Sequence, residues 1–427
     1  MGINCLVKNK LQLSNKANVS KNILNQRSLK RGYPTPWEDD NAFCIDCTSF
    51  EGRMKFTILL PLLICAGLLA KAQNIDIVKS NIIIGLHLQG GFIAPHRDEM
   101  KHLVQGHSVG GSLSLLKKCD GKKYWQHIYN FPENGLDFWF NSTGNSRQLG
   151  NQVDLKYLLN LPLNQNKNPD GQNLVRNESG FKHWLGLGIG LGYSTKIWDL
   201  RENHQAAVLG SHINASLTIQ YSASIIRTKS FDLRSGLRVT HFSNGASQIP
   251  NLGTNNLGLF IGLYVRKNSG QAPFKYDFIP TIEKWRNTIS LATGYKEVQP
   301  PMSKKYATFS MTFLKERRIT FKSSVGAGID LFYNSSLIKL MEREITLPKK
   351  STALQAGLLL SYTMHFDRFE LKMQNGFYVL DQWKNDGFIY HRFGLRYRCT
   401  KHLFAQLTLK THFAKADFTE AGIGYAF

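Results

Sequence analysis

Strict alternation of apolar and polar residues constrains this chain more than any other feature. In "INASLTIQYSASI", Ile213, Ala215, Leu217, Ile219, Tyr221, Ala223 and Ile225 are apolar, while Asn, Ser, Thr and Gln fill the positions between. "LFAQLTLKTHF" repeats the scheme with Leu403, Ala405, Leu407 and Leu409, and "LQAGLLLSYTMHF" with Leu354, Ala356, Leu358, Leu360, Tyr362 and Met364. Period two means a strand with one greasy and one wet face. Such segments begin near residues 82, 109, 135, 153, 183, 211, 230, 256, 286, 305, 319, 352, 368, 390, 403 and 419, and no long helical pattern interrupts them after residue 80. The abundance of Gly (36) and Phe (26) over Pro (13) also suits many short strands.

A soluble sandwich also alternates, so other features must choose between the two. Glu370, Lys372 and Gln374 share one wet face, and Arg392, Arg396 and Arg398 another, which suits a lumen better than a solvent surface. Many strands reach nine residues or more, as tilted membrane strands require. The chain ends "TEAGIGYAF", with Ala421, Ile423, Tyr425 and the terminal Phe427 on one face. A last strand closing on an aromatic residue resembles the C-terminal signal of bacterial outer-membrane barrels. In lipid only helices and closed barrels satisfy their backbone. The expected fold is therefore all-β, a closed antiparallel transmembrane β-barrel of roughly 12–16 strands.

Residues 54–73, "MKFTILLPLLICAGLLAKAQ", carry Lys55, an apolar run and Ala70-Lys71-Ala72, the order of a secretory signal. Met54 is then the expected start, with 54–72 the signal and 1–53 an upstream extension that is untranslated or disordered. Cys5, Cys44, Cys47 and Cys65 fall in these parts; the remainder keeps Cys119 and Cys399, whose redox state is open. The net charge of +23 would suit nucleic acid, but the basic residues are scattered and the export signal removes the chain from the cytoplasm. An anionic membrane surface is the better partner. There is no H-E-x-x-H and no calcium-loop spacing, so no metal and no cofactor are expected. "GLGIGLGY" is not a phosphate loop: Gly186, Gly188, Gly190 and Gly192 fall every second residue, lining one strand face where the barrel is crowded.

The chemistry-bearing stretch is "HFSNGASQIPNLG", residues 241–253. In "FDLRSGLRVTHFSN" Phe231, Leu233, Ser235, Leu237 and Val239 form the apolar face, and His241 and Ser243 continue it towards lipid. The ten steps from Phe231 to His241, at ~3.3 Å each and a tilt of about 40°, climb about 25 Å, the height of an apolar band. With both termini periplasmic, the seventh strand runs outward, so the pair belongs at the outer rim beside outer-leaflet lipid A. His as general base and Ser as nucleophile make a workable acyl-transfer pair.

"HFSNGASQIPNLGTN" resembles the active-site motif of the lipid A 3-O-deacylases (PagL type) and their acyloxyacyl-hydrolase-like relatives in Bacteroidetes. "LGSHINA" (209–215) is similar to the strand before that motif. The resemblance covers about residues 80–267. It implies an outer-membrane esterase in which Ser243 attacks an acyl ester of lipid A, His241 is its base, and Asn244 and Asn251 help to form the oxyanion site. The family's acid falls at Asn255; an asparagine carbonyl can orient a histidine but cannot balance an imidazolium charge.

The expected organisation is a catalytic part of the barrel at 73–267 and further strands of the same barrel at 268–427. The implied partners are lipopolysaccharide and the bacterial outer membrane, with no nucleic acid and with homodimer formation left open. The competing reading is a non-catalytic barrel, a pore or structural protein with a degenerate site, because sixteen strands in one closure leave an aqueous channel.

Overall fold

The computed structural model describes residues 81–163, 181–228, 230–266, 283–344, 348–413 and 415–427. The signal and the upstream extension lie outside them. The described residues form sixteen strands: β1 Ile82–Ile93, β2 Ser108–Lys118, β3 Glu133–Ser142, β4 Asn151–Pro162, β5 His183–Ser194, β6 Ile213–Arg227, β7 Phe231–Ser243, β8 Thr254–Arg266, β9 Trp285–Glu297, β10 Lys305–Arg318, β11 Ser323–Asn334, β12 Leu354–Phe366, β13 Phe369–Leu380, β14 Ile389–Arg398, β15 Leu403–His412 and β16 Lys415–Ala426. Each expected segment corresponds to one of them. The largest displacements are at β11, which begins at Ser323 rather than 319, and β16, which begins at Lys415 rather than 419. No helix among the described residues is long and apolar enough to cross a membrane.

The strands do not close once. β1 pairs with β8 and β9 with β16, so β1–β8 and β9–β16 form two separate antiparallel barrels. The all-β closed-barrel class stands, while the single wide barrel expected from the strand count is corrected to two barrels of eight. Residues 268–427 accordingly contain a second barrel rather than the remainder of the first.

Barrel size decides what the wet faces do. Eight strands leave an interior just wide enough for side chains. In the first barrel Arg234 makes a two-pronged bond to Glu133 at 2.8 and 2.9 Å, and its Nε bonds Asp232 at 3.0 Å. Its guanidinium also stacks between Trp184 and Tyr264. Lys156 bonds Asp154 at 2.6 Å, and Arg238 bonds Gln220 at 2.9 Å. In the second barrel Arg392 lies between Asp330 and Glu420, Lys410 bonds Asp417 at 2.9 Å, and Lys372 bonds Glu316 at 3.2 Å. The polar faces thus pair with one another, where the sequence suggested a water-filled lumen. A cavity of about 10 Å³ beside Lys372, Arg392 and Arg396 has room for about one water.

The glycine-alternating strand serves this packing. A Cβ on Gly186 would lie 2.4 Å from the Gln220 side chain, and one on Gly192 would lie 2.2 Å from the Phe242 ring. Phe242 is fully buried with Trp139, Met100, Leu103 and Val208 at one end of the first barrel. At the opposite end, the short helix Tyr124–Ile128 lies beside the second barrel: Tyr129 stacks on Phe366 at 4.8 Å and Lys123 pairs with Asp367 at 2.5 Å. Cys119 is buried and Cys399 exposed, and both are free thiols.

Candidate active site

Side-chain parity along β7 places the candidate residues. Asp232, Arg234, Arg238, Thr240 and Phe242 are buried inside the barrel, whereas Leu237, Val239, His241 and Ser243 point outward. Phe242 therefore anchors the strand from within while the residues on either side of it face out. Asp232, the carboxylate nearest to the motif in sequence, lies inside the barrel, where Ser224 and Arg234 bond it.

Asn255, the second residue of β8, lies directly across from His241, and its Oδ1 lies 2.6 Å from His241 Nδ1. The position at which the family's acid was expected therefore does face the imidazole. Gly253 lies beneath the ring: its φ is +77°, and a Cβ there would come 2.7 Å from His241 Cε1 and 2.8 Å from the Phe242 carbonyl oxygen. Left-handed backbone and close approach both require glycine at this position.

Ser243 ends β7 at the mouth of the 244–253 loop. Asn251 Nδ2 donates to Ser243 Oγ at 2.9 Å, and the Gly245 N–H donates to the same oxygen at 3.2 Å. Asn251 Oδ1 in turn accepts the Asn244 N–H at 3.0 Å. Asn244 does not present its amide to Ser243. Its Nδ2 donates instead to Ser211 Oγ and to the Gln248 carbonyl, each at 2.8 Å, and so folds the loop on itself. His241 and Ser243 are outward neighbours on one strand without a direct hydrogen bond between them; catalytic bonds of this kind often tighten only around substrate.

Two participants lie outside the motif. His96, after β1, accepts from Asn255 Nδ2 at 3.0 Å. Glu297, at the end of β9, accepts the Ile249 N–H at 3.2 Å, and its own N–H donates to the Ala246 carbonyl at 3.0 Å. No spacing rule links positions so far apart, and neither was visible in the sequence. Ser211 lies within the quoted "LGSHINA", but its bond to Asn244 was equally invisible there.

An apolar strip runs away from the site over the outside of three neighbouring strands. Leu217 on β6 pairs with His241, Ile219 pairs with Val239, and Leu259 on β8 pairs with Leu237. Ile219 is 59% exposed and Leu259 65% exposed, so the strip is a contiguous apolar patch of the kind that marks an interaction or membrane surface.

Two family models match the chain. Residues 109–264 match lipid A 3-O-deacylase (PagL), and residues 285–427 match the acyloxyacyl hydrolase C-terminal domain. The boundary between the matches is the boundary between the barrels. Among curated proteins no significant match is found. Solved structures with some likeness include a double mutant of the Rh. blastica porin, 7% identical over 81% of this chain and 99% of that one, with a TM-score of 0.15. A triple mutant of the Rhodopseudomonas blastica porin is 8% identical over the same shares, also with a TM-score of 0.15. Superposition that poor carries no argument about fold or function. The two family matches, one on each barrel, identify the chain as a member of the lipid A 3-O-deacylase (PagL) family of ester hydrolases.

Proposed function

We propose that this is an outer-membrane enzyme that hydrolyses an acyl ester of lipid A at a lipid-facing Ser243–His241–Asn255 site. The observation that carries the reading is that His241 and Ser243 share the outward face of β7 while Asn255 Oδ1 reaches His241 Nδ1 at 2.6 Å. A lipid ester could then approach from the bilayer, with its acyl chain along the strip of Leu217, Ile219, Val239, Leu237 and Leu259.

In the reaction His241 Nε2 takes the Ser243 proton as Oγ attacks the ester carbonyl carbon. The Gly245 N–H and Asn251 Nδ2, which donate to Ser243 Oγ, are the donors offered to the oxyanion that forms beside it. Asn244 supports them by holding the loop through Ser211 and Gln248. Collapse of the intermediate breaks the ester C–O bond, and His241 returns the proton to the departing sugar oxygen. Water, deprotonated by His241, then attacks the acyl-serine and releases the fatty acid. Asn255 orients the imidazole throughout as a neutral acceptor. The alternative of an open pore loses its basis in the paired side chains that fill both barrels.

The test is mass spectrometry of lipid A from cells expressing the chain, wild type beside Ser243→Ala. Loss of one acyl chain in the wild type alone supports the reading. Unchanged lipid A with the wild-type barrel inserted would overturn it.

A further inference from the structure

An amide opposite His241 creates a problem that a carboxylate would not have. Both oxygens of a carboxylate accept, but an amide has one accepting and one donating end. Asn255 can orient His241 usefully only if Oδ1 is the end that faces it. With the amide turned over, its NH2 group would force His241 Nδ1 to accept, and the ring proton would move to Nε2. His241 Nε2 would then have no lone pair to receive the serine proton, and the lone pair on Nδ1 would be occupied by the Asn255 amide.

His96 bears on this choice through a polar chain with a fixed end. Its Nε2 lies 3.0 Å from the Leu252 carbonyl oxygen, and its Nδ1 lies 3.0 Å from Asn255 Nδ2. A backbone carbonyl can only accept, so His96 Nε2 must carry a proton. In the neutral ring Nδ1 is then an acceptor, and the end of Asn255 that faces it must be the NH2 group. Oδ1 is thereby turned to His241 Nδ1, 2.6 Å away, which must donate. His241 Nε2 is left as the accepting nitrogen. The segment carrying His96 is tied to the same strand, since the Ala94 N–H donates to the Asn255 carbonyl at 2.8 Å.

We propose that His96 is a positioning residue: it fixes the amide orientation of Asn255 and, through it, the tautomer in which His241 can act as a base. This rests on the reading of His241 as general base, so its test includes a measurement that needs no activity. The full chain, with 15N-labelled histidine in detergent micelles, is examined by long-range 1H–15N spectroscopy, with His241 assigned by its loss in His241→Gln. The wild type should show His241 protonated at Nδ1, and His96→Ala should shift it to a mixture with the Nε2–H form. His96→Gln, whose amide can donate to Leu252 and accept from Asn255, should restore the wild-type pattern.

In deacylation assays His96→Ala should lower kcat roughly three- to tenfold, the worth of one hydrogen bond, with KM within about twofold. In an Asn255→Asp background, where either oxygen can face His241, His96→Ala should change neither the tautomer nor kcat. An unchanged His241 tautomer in His96→Ala, or equal sensitivity in the Asp background, would overturn the proposal. A wild-type chain without lipid deacylation would instead overturn the hydrolase reading, and the tautomer spectra would still decide the role of His96.

Discussion

Glu297 of the second barrel holds the Ser243 loop of the first: its carboxylate accepts the Ile249 N–H at 3.2 Å and its backbone N–H donates to the Ala246 carbonyl at 3.0 Å. Gly245 in the same loop has φ +63°, and a Cβ there would lie 1.9 Å from Thr419 Oγ1 on β16. The loop that carries the Ser243 donors is therefore shaped against the second barrel, which supplies a use for the C-terminal half.

Glu297→Ala should leave both barrels folded but loosen this loop. Displacing positioning groups by about 1 Å can cost about 100-fold in rate, so a fall in kcat of about 10- to 100-fold is expected. Lipid A deacylation by the purified variant, read beside the heat-modified gel mobility that reports barrel integrity, checks this. Wild-type kcat in a folded Glu297→Ala variant would show that the second barrel does not position the site.

A packing prediction concerns Phe242. Its ring occupies the space that a side chain on Gly192 would take, with Cε1 2.2 Å from the ideal Cβ position. Gly192→Ala must therefore push Phe242 aside, and overpacking of this kind costs about 1–3 kcal/mol. Because Phe242 lies between His241 and Ser243, activity should fall along with the unfolding midpoint in urea. A Phe242→Leu substitution in the Gly192→Ala background should recover part of the stability.

How far the sequence could be read follows from what each signal depends on. Strand identity is local: alternation assigns Leu237 and Val239 to one face and Arg234 and Arg238 to the other, and parity then carries His241 and Ser243 outward. Closure is not local. Nothing within β8 says that it pairs with β1 rather than with the next strand, and the same alternation fits one large barrel or two small ones. The strongly charged inner faces were misleading for a related reason. Arg392 and Asp330 are 62 positions apart, so their 2.7 Å pairing could not be foreseen and the charges looked as though they needed water. Asn255 was legible from the motif, whereas His96 and Glu297 enter the site only through folding.

The two thiols outside the signal and extension should differ sharply in reactivity. Burial pushes the Cys119 thiol up to about 12, although Asn134 Nδ2 donates to its sulfur at 3.2 Å. Only the thiolate reacts, so raising the pH from 7 to 9 should not make Cys119 available, whereas the exposed Cys399 should label readily. Iodoacetamide labelling of the folded protein followed by peptide mass spectrometry should find the adduct on Cys399 and not on Cys119, with no disulfide between them. Rapid labelling of Cys119 at pH 8 would show that the turn after β2 opens.

The most informative substitution is Asn255→Asp, which puts a carboxylate opposite His241, where the motif's resemblance implies an acid. When Ser243 gives up its proton the imidazole becomes a cation, and the Asn255 carbonyl can offer it only a dipole at 2.6 Å. A carboxylate in the same place stabilises that cation directly, and charge-assisted hydrogen bonds are about twice as strong as neutral ones. A gain of about 1.4 kcal/mol in the transition state corresponds to about tenfold in kcat, with little change in KM because the carboxylate acts on the imidazolium that forms only in the transition state. The sign of the pH dependence follows: the carboxylate acts only when ionised, so the gain should be present at neutral pH and fade as acid protonates Asp at 255. Steady-state deacylation of purified lipid A across pH 4–8, wild type beside the variant, checks both points. A variant slower than the wild type at every pH would mean that the site is tuned to a neutral residue, with loop geometry rather than charge limiting the rate.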